Sequence, residues 1–257
     1  MSLIPKKALG QHFLNDRDIA AKIVSSLRAD GIRHVIEVGP GMGALTPMLL
    51  HERRFDVRFV EIDADAAEYL KKRFPDINGK LVVADFLRHP LEAYFGHEPL
   101  AVIGNFPYHI SSQIFFKILD HRSQVREVVG MLQKEVAERI AAPPGSRTYG
   151  ITSVLLQAFY NIEYLFTVHE HVFTPPPKVK SGVIRLIRND TEALPCDEVM
   201  FFRVVKTAFN QRRKMLGNSL KSLLPAGHAA HPMLSKRPEQ LGVQEFIELT
   251  QFCFSSK

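Results

Sequence analysis

The sequence predicts an α/β fold on a parallel sheet, followed by a small all-helical C-terminal domain. Three observations carry this. Apolar strand-like runs alternate with helical stretches up to about residue 140. A glycine-rich turn follows the first apolar run directly, as in doubly wound α/β proteins. From Val199 onward the pattern is helical throughout.

Residues 16–29 place Ile19, Ala20, Ile23, Val24 and Leu27 at helical spacing, with Asn15 or Asp16 available as a cap. His34-Val35-Ile36-Glu37-Val38 reads as the first strand, and a helix runs from the glycine turn to about Arg53. Residues 57–62 form the second strand, with a helix from Ala64 to about Phe74. Residues 81–84 form the third strand, 100–104 the fourth and 125–132 the fifth. Helices are expected near 112–119 and 134–140. Such β-α alternation calls for helices on both faces of the sheet. Pro143-Pro144-Gly145-Ser146 is a turn cluster, and 151–160 reads as helical. Residues 162–168 and 183–187 read as a strand pair around Thr174-Pro175-Pro176-Pro177. The polar stretch 189–197 is a linker, which places the domain boundary near residue 190.

The 257 residues are enough to bury a core without disulfides or a structural metal. No apolar run approaches the roughly 18 residues that span a bilayer. The opening Met1-Ser2-Leu3-Ile4-Pro5-Lys6-Lys7 lacks the apolar stretch of a secretory signal. Two distant cysteines, Cys196 and Cys253, exclude a disulfide framework and a Cys-rich zinc site. A cytoplasmic, monomeric protein without metal is expected. Eleven histidines form no compact ligand cluster, and His169 and His171 read as a solvated edge. The charge is uneven. Residues 199–257 hold nine basic side chains (Arg203, Lys206, Arg212, Arg213, Lys214, Lys221, Lys236, Arg237, Lys257) and three acidic ones (Glu239, Glu245, Glu248). The first 198 residues balance at 24 of each sign, so the whole excess of +6 lies in the tail. A polyanion such as nucleic acid is the natural partner for such a tail, with a solvated helix face as the plain alternative.

Glu37-Val38-Gly39-Pro40-Gly41-Met42-Gly43 leaves the first strand and opens a helix. Gly39 through Ala44 also fits the dinucleotide fingerprint, so the loop alone does not choose a cofactor. Glu61 ends the second strand about 20 residues on and suits a ribose diol. Asp85 ends the third strand and can accept from an adenine amino group. All three features fall at carboxyl ends of strands, where open α/β sheets bind ligands. Together they point to an adenosine-containing cofactor. The fourth strand ends in Gly104-Asn105-Phe106-Pro107-Tyr108, which a nicotinamide dehydrogenase would not need. Methyl transfer to an exocyclic amine does need it. The lone pair of adenine N6 is delocalised into the ring. The Asn105 carbonyl and a backbone carbonyl of Phe106 or Pro107 can accept both amino hydrogens and free it. Proline there has no donor and a fixed φ, and Tyr108 can stack on a base drawn out of its helix.

These motifs resemble the Class I S-adenosylmethionine-dependent methyltransferases, and more closely the ribosomal RNA adenine N6-dimethyltransferases acting on the small subunit. Besides the loops above, the resemblance rests on residues 10–14, 131–137 and 173–179, and on Ala208-Phe209-Asn210-Gln211-Arg212-Arg213-Lys214. It implies a Rossmann-like sheet with a catalytic, S-adenosyl-L-methionine-binding domain over 1–189 and a helical RNA-binding domain over 190–257. It implies that Gln11, His12, Leu14, Gly39, Gly41, Glu61, Ile62, Asp85, Phe86 and Asn105 border the cofactor. Asn105, Phe106, Pro107 and Tyr108 would form the catalytic loop, with Phe173 stacked on the target adenine opposite Tyr108. His12 stands where the family often has Asn, and Phe106 where it often has a smaller aliphatic residue. Arg212, Arg213, Lys214 and Lys221 would meet RNA. The implied reaction is dimethylation of two adjacent adenosines near the 3′ end of 16S rRNA, with a part in small-subunit biogenesis. Two rivals stand beside it: a resistance methyltransferase acting on large-subunit RNA, and an assembly or transcription factor that kept the fold without catalysis. The 173–179 and 208–214 runs favour the first reading over the former rival, and intact Glu61, Asp85, Asn105 and Tyr108 over the latter.

Overall fold

A computed structural model describes Lys6 and residues 9–225 and 231–254. Of the residues discussed above, Met1–Pro5, Lys7 and Lys257 lie outside them. In chain order the first elements are β1 (Phe13–Leu14), α1 (Arg17–Ser25), β2 (His34–Val38), α2 (Thr46–His51), β3 (Asp56–Glu61), α3 (Ala64–Arg73), β4 (Leu81–Val83), α4 (Glu92–Phe95), β5 (Leu100–Asn105) and α5 (Ser111–Asp120). They are followed by β6 (Val125–Gln133), α6 (Lys134–Ala141), α7 (Ile151–Gln157), β7 (Tyr160–Val168), β8 (Phe173–Thr174), β9 (Ser181–Arg188), α8 (Glu198–Asn210), α9 (Leu216–Ser219) and α10 (Val243–Phe254).

The chain divides into two compact units. One comprises residues 1–137 and 162–188, the other 138–161 and 189–257. In the first, seven strands form one sheet in the order β4-β3-β2-β5-β6-β9-β7. The neighbours from β4 to β6 pair in parallel. β9 runs antiparallel to β6, with Gly130 opposite Ile184 and Gln133 opposite Ser181. The central strand β5 is apolar and buried from Leu100 to Gly104, as burial on both faces demands. Strand order reverses at β2, whose neighbours are β3 and β5, the kind of position at which open α/β sheets bind ligands. Asp16 caps α1, its carboxylate accepting from the Asp18 and Ile19 N–H groups at 3.0 Å each. A two-residue ribbon pairs Leu14 of β1 with Phe173 of β8. Sequence periodicity could not find it, because two residues carry no period.

The second unit is helical and includes a stretch that the sequence-based boundary near 190 assigned to the first. Val154, Leu155 and Leu156 of α7 are fully buried. So are Phe201, Val204, Val205 and Ala208 of α8, with Phe246 and Leu249 of α10. Phe209 links them, its ring 6.1 Å from Tyr149 and 5.9 Å from Phe246. The Gly145 N–H also donates to the Glu239 carbonyl at 2.6 Å. Residues 138–161 thus bury their apolar side chains with the C-terminal helices, and a composition break at 189–197 could not reveal that.

One close approach matters for the site. Phe106 is 1% exposed, and its ring lies against the bare backbones of Gly104 and Gly130. A Cβ on Gly130 would fall 2.5 Å from the Phe106 Cε2. The large residue at position 106 therefore fits because β5 and β6 carry glycine beneath it. Gly130→Ala is expected to cost about 1–3 kcal/mol through overpacking. Adding Phe106→Leu should recover part of the loss. Thermal melts of the two variants check this, and an unchanged melting temperature in Gly130→Ala would mean that the slot is not tight.

Candidate active site

A cleft of about 410 Å³ opens at the carboxyl ends of β2, β3 and β5, within the size range of small-molecule sites. Gln11, His12, Leu14, Gly39, Gly41, Glu61, Ile62, Asp85, Phe86, Asn105, Phe106, Pro107 and Tyr108 all line it. One expected site residue does not. Phe173 is 3% exposed and belongs to the hydrophobic core with Leu14, Val168 and Val183. Its backbone pairs with Leu14 in the β1–β8 ribbon. The ring that meets Tyr108 is His12, with centroids 5.5 Å apart and planes 28° from parallel.

Glu61 is 3% exposed, and both of its oxygens are engaged. Oε2 accepts from the Gly41 N–H and Oε1 from the Asp63 N–H, each at 2.9 Å. Burial pushes its pKa up, while these backbone donors pull it back. Gly41 sits at φ +57°, a conformation that favours glycine, and a Cβ there would fall 3.0 Å from the Phe13 ring. Asp85 Oδ1 accepts from the Leu87 N–H at 2.9 Å, and Arg88 Nε lies 3.5 Å from Oδ2.

Lys6 and Gln11, which precede β1, are held by polar contacts. Lys6 Nζ bridges Asp63 at 2.6 Å and Asp65 at 2.7 Å. Gln11 Nε2 donates to Asp63 at 3.1 Å, and its Oε1 accepts from the Lys6 N–H at 2.8 Å. At the other end, Asn105 Nδ2 donates to the His12 carbonyl at 2.9 Å. A carbonyl only accepts, so this bond fixes which end of the amide is NH₂ and leaves Oδ1 as a free acceptor. In the loop after it, the Phe106 N–H donates to the Met131 carbonyl at 2.9 Å, and the Pro107 carbonyl accepts from the Ile110 N–H at 3.1 Å. The Tyr108 hydroxyl shares a hydrogen bond with the buried Ser181 Oγ at 2.7 Å, and burial raises its pKa.

Sequence reading missed several contributors. His109, Ile110 and Gln113 line the cleft. Lys117 holds the Asp85–His89 turn from behind, donating to the His89 carbonyl at 2.5 Å and the Leu87 carbonyl at 3.3 Å. Asp63 joins Glu61 to the Lys6–Gln11 segment. No local motif marks these residues, whose roles come from contacts across 28 to 57 positions. Among the described residues, no group of three His, Cys, Asp or Glu side chains could hold a metal ion, and no helix is long and apolar enough to cross a membrane.

A Rossmann-like sheet with a glycine turn, a strand-end carboxylate and an Asn-aromatic-Pro-Tyr loop at one cleft is the architecture of the S-adenosylmethionine-dependent methyltransferases. Comparison with known proteins narrows the class. A family model described as ribosomal RNA adenine dimethylase matches residues 4–245, and the chain belongs to that family. It is 58% identical over 247 residues to ribosomal RNA small subunit methyltransferase A of Cytophaga hutchinsonii, covering 95% of each chain. Its Porphyromonas gingivalis counterpart is 54% identical over 97% of this chain and 98% of that one. Among solved structures, a dimethyladenosine transferase from Plasmodium falciparum superposes with a TM-score of 0.75 at 25% identity, over 93% of this chain and 96% of that one. The 23S rRNA methyltransferase ErmE superposes with a TM-score of 0.69 at 26% identity, over 92% and 98%.

Glu37 adds a pH dependence. It is fully buried, with its Oε2 bound to the Thr46 hydroxyl at 2.9 Å. Burial, opposed by that bond and helped by the nearby Glu61, raises its pKa from 4.5 to about 8. The folded chain therefore keeps a proton that the unfolded chain releases near pH 4.5. Stability from this group is complete below that pH and is lost as pH rises through about 8. The melting temperature should fall between about pH 5 and pH 9, and should fall less in Glu37→Gln. Parallel pH profiles of the two proteins would assign the slope to another group.

Proposed function

We propose that this protein transfers methyl groups from S-adenosyl-L-methionine to N6 of two adjacent adenosines near the 3′ end of 16S rRNA. The product is N6,N6-dimethyladenosine, made during assembly of the small subunit in the cytoplasm. The observation that carries this reading is the Asn105 amide, oriented by the His12 carbonyl so that Oδ1 is the free acceptor at the cleft. When bound, the cofactor supplies an activated methyl group on a sulfonium. The residues fit that group: a glycine turn with backbone exposed to the cleft, a buried carboxylate for the ribose hydroxyls at Glu61, and Asp85 with Phe86 for the adenine. Gln11, His12, Leu14, Gly39, Gly41 and Ile62 complete its surroundings.

The chemistry left to the chain is positioning and polarisation of the amine. Asn105 Oδ1 accepts one amino hydrogen. The second acceptor is a backbone carbonyl of Phe106 or Pro107, of which Pro107 already accepts from the Ile110 N–H. With both hydrogens engaged, the N6 lone pair is withdrawn from the ring and aimed at the methyl carbon. Tyr108 supplies a stacking face. The amino proton becomes acidic once the methyl is attached and leaves to water, so no strong base is required. The 54–58% identity to proteins named for the small subunit favours that substrate over the large-subunit RNA named for ErmE. Primer-extension mapping of both RNAs after incubation with enzyme and cofactor tests it. Stops confined to 23S rRNA would overturn the choice.

Two substitutions separate cofactor binding from catalysis. Glu61→Ala should weaken cofactor binding about 10-fold or more by removing charge-assisted hydrogen bonds. Asn105→Ala should leave that affinity within a few-fold and slow methyl transfer roughly 100-fold or more. Calorimetric titration and single-turnover kinetics read the two quantities. Near-normal transfer by the Asn105 variant would refute amine polarisation.

The helical unit is read as the RNA-docking part. Arg213, Lys214 and Lys221 are exposed. Arg212 is half-buried, donates to the Ser146 carbonyl at 3.3 Å and lies 3.9 Å from Glu239. Arg213 and Lys214 are therefore the informative pair. Replacing both with Ala should weaken binding to small-subunit particles. The slope of log affinity against log salt should drop by about 0.7–0.9 per lost phosphate contact. Cofactor affinity and melting temperature should hold. Filter binding across a salt series measures the slope, and an unchanged slope would make the pair a solvated face.

A further inference from the structure

We propose that Lys117 is a positioning residue for the cofactor: its ammonium fixes the turn that presents Asp85 and Phe86, and so sets the preference of the site for adenine. The inference rests on the reading of Asp85 and Phe86 as partners of the cofactor's adenine. Lys117 does not itself line the cleft, and it acts through these two residues, which do.

Three observations converge. The first is how the turn is built. Asp85 Oδ1 accepts from the Leu87 N–H at 2.9 Å, and the Asp85 carbonyl accepts from the Arg88 and His89 N–H groups at 3.0 and 2.9 Å. These bonds occupy the N–H groups of the turn. The Leu87 and His89 carbonyls are taken instead by Lys117 Nζ, at 3.3 and 2.5 Å. An ammonium has three hydrogens and can serve both carbonyls at once, and a charged donor makes the stronger bond. The second observation is the ring between them. Phe86 is 4% exposed, and Lys117 Nζ lies 5.3 Å from its centroid, within cation–π range. One cation therefore holds both the backbone of the turn and the aromatic ring in it.

The third observation is where Lys117 comes from. Helix α5 begins at Ser111, directly after the Asn105–Tyr108 loop, and Gln113, one helical turn before Lys117, lines the cleft. Ile114, Phe115, Ile118 and Leu119 are buried, which fixes the helix. A rigid element leaving the Asn105 loop thus delivers a cation to the Asp85 turn. Burial lowers the pKa of Lys117, and Glu92, Asp85 and Asp120 raise it. Without Nζ the two carbonyls lose their donor and the turn can rotate its peptides. Asp85 then loses the fixed direction from which a carboxylate meets an amino group. Glu61 is held separately by Gly41 and Asp63, so the ribose contact is spared.

The test compares S-adenosyl-L-homocysteine with S-inosyl-L-homocysteine by calorimetric titration. The two differ at the 6-position of the base, where a carboxylate can accept from the amino group of the first but meets a carbonyl oxygen in the second. The parent should prefer the adenosyl form, and Asp85→Ala should remove most of that preference. Lys117→Met keeps the apolar stem and removes the donors. It should weaken the adenosyl form about 10-fold and leave the inosyl form within about 2-fold. In the Asp85→Ala background the same substitution should change the ratio of the two affinities by less than about 2-fold, because Lys117 acts through Asp85. A purely structural role predicts a lower melting temperature with the ratio unchanged, and that result overturns the proposal. So does a full effect of Lys117→Met in the Asp85→Ala background. Should Lys117→Met melt below the assay temperature, Lys117→Gln reads the same quantity: a ratio narrowed about 3-fold or more is expected, and an unchanged ratio overturns the proposal. A parent with no preference for the adenosyl form removes the reading of Asp85 and the proposal with it. A preference lost in Asp85→Ala but intact in both Lys117 variants removes the proposal alone.

Discussion

The cleft depends on one buried carboxylate. Glu61 ends β3, and its two oxygens take N–H donors from opposite sides: Gly41 in the turn after β2, and Asp63 at the start of α3. Left unpaired, a carboxylate at 3% exposure would carry a desolvation cost that its fold could not support. The pairing joins the glycine turn to the β3–α3 turn. From Asp63 the chain of contacts continues outward. Its side chain holds Lys6 and Gln11. These set the segment that carries His12, and the His12 carbonyl sets Asn105. The residue read as a ribose ligand and the residue read as the amine acceptor are thus ends of one polar network, about 44 positions apart in sequence but one segment apart in space.

Around that network the apolar packing is permissive in one place and rigid in the rest. Phe106 packs its ring onto two glycines, while its backbone belongs to the loop read as catalytic. Side-chain identity at 106 can therefore vary with the glycine slot without moving the carbonyl. Tyr108 has no such freedom, since its hydroxyl is tied to Ser181, which is fully buried in β9.

The basic tail divides in the same manner. Nine cations give the last 59 residues their charge, yet they are not equivalent. Arg212 and Lys236 are engaged with Glu239 and Glu245 inside the helical unit. Arg213, Lys214 and Lys221 keep their charge exposed. Charge counting sees a total, whereas a phosphate sees only the cations left facing solvent.

Much of the architecture was legible in the sequence. Strand β5 is apolar because both faces are covered, and β2 and β6 carry buried runs of the same kind, which produces readable patterns. The glycine turn, Glu61, Asp85 and Asn105–Tyr108 could be assigned to one cleft because carboxyl ends of parallel strands share an edge. Local chemistry offered Asn15 or Asp16 as a cap, and the fold uses Asp16. Tertiary structure decided what has no local signal. It took residues 138–161 into the helical unit, because Leu155, Leu156 and Tyr149 are buried there. It placed Phe173 in the core, paired with Leu14 across β1 and β8, and His12 beside Tyr108. Periodicity and motifs report how a residue relates to near neighbours in the chain. Which ring or carbonyl it meets across 93 or 163 positions is settled only when the sheet has closed.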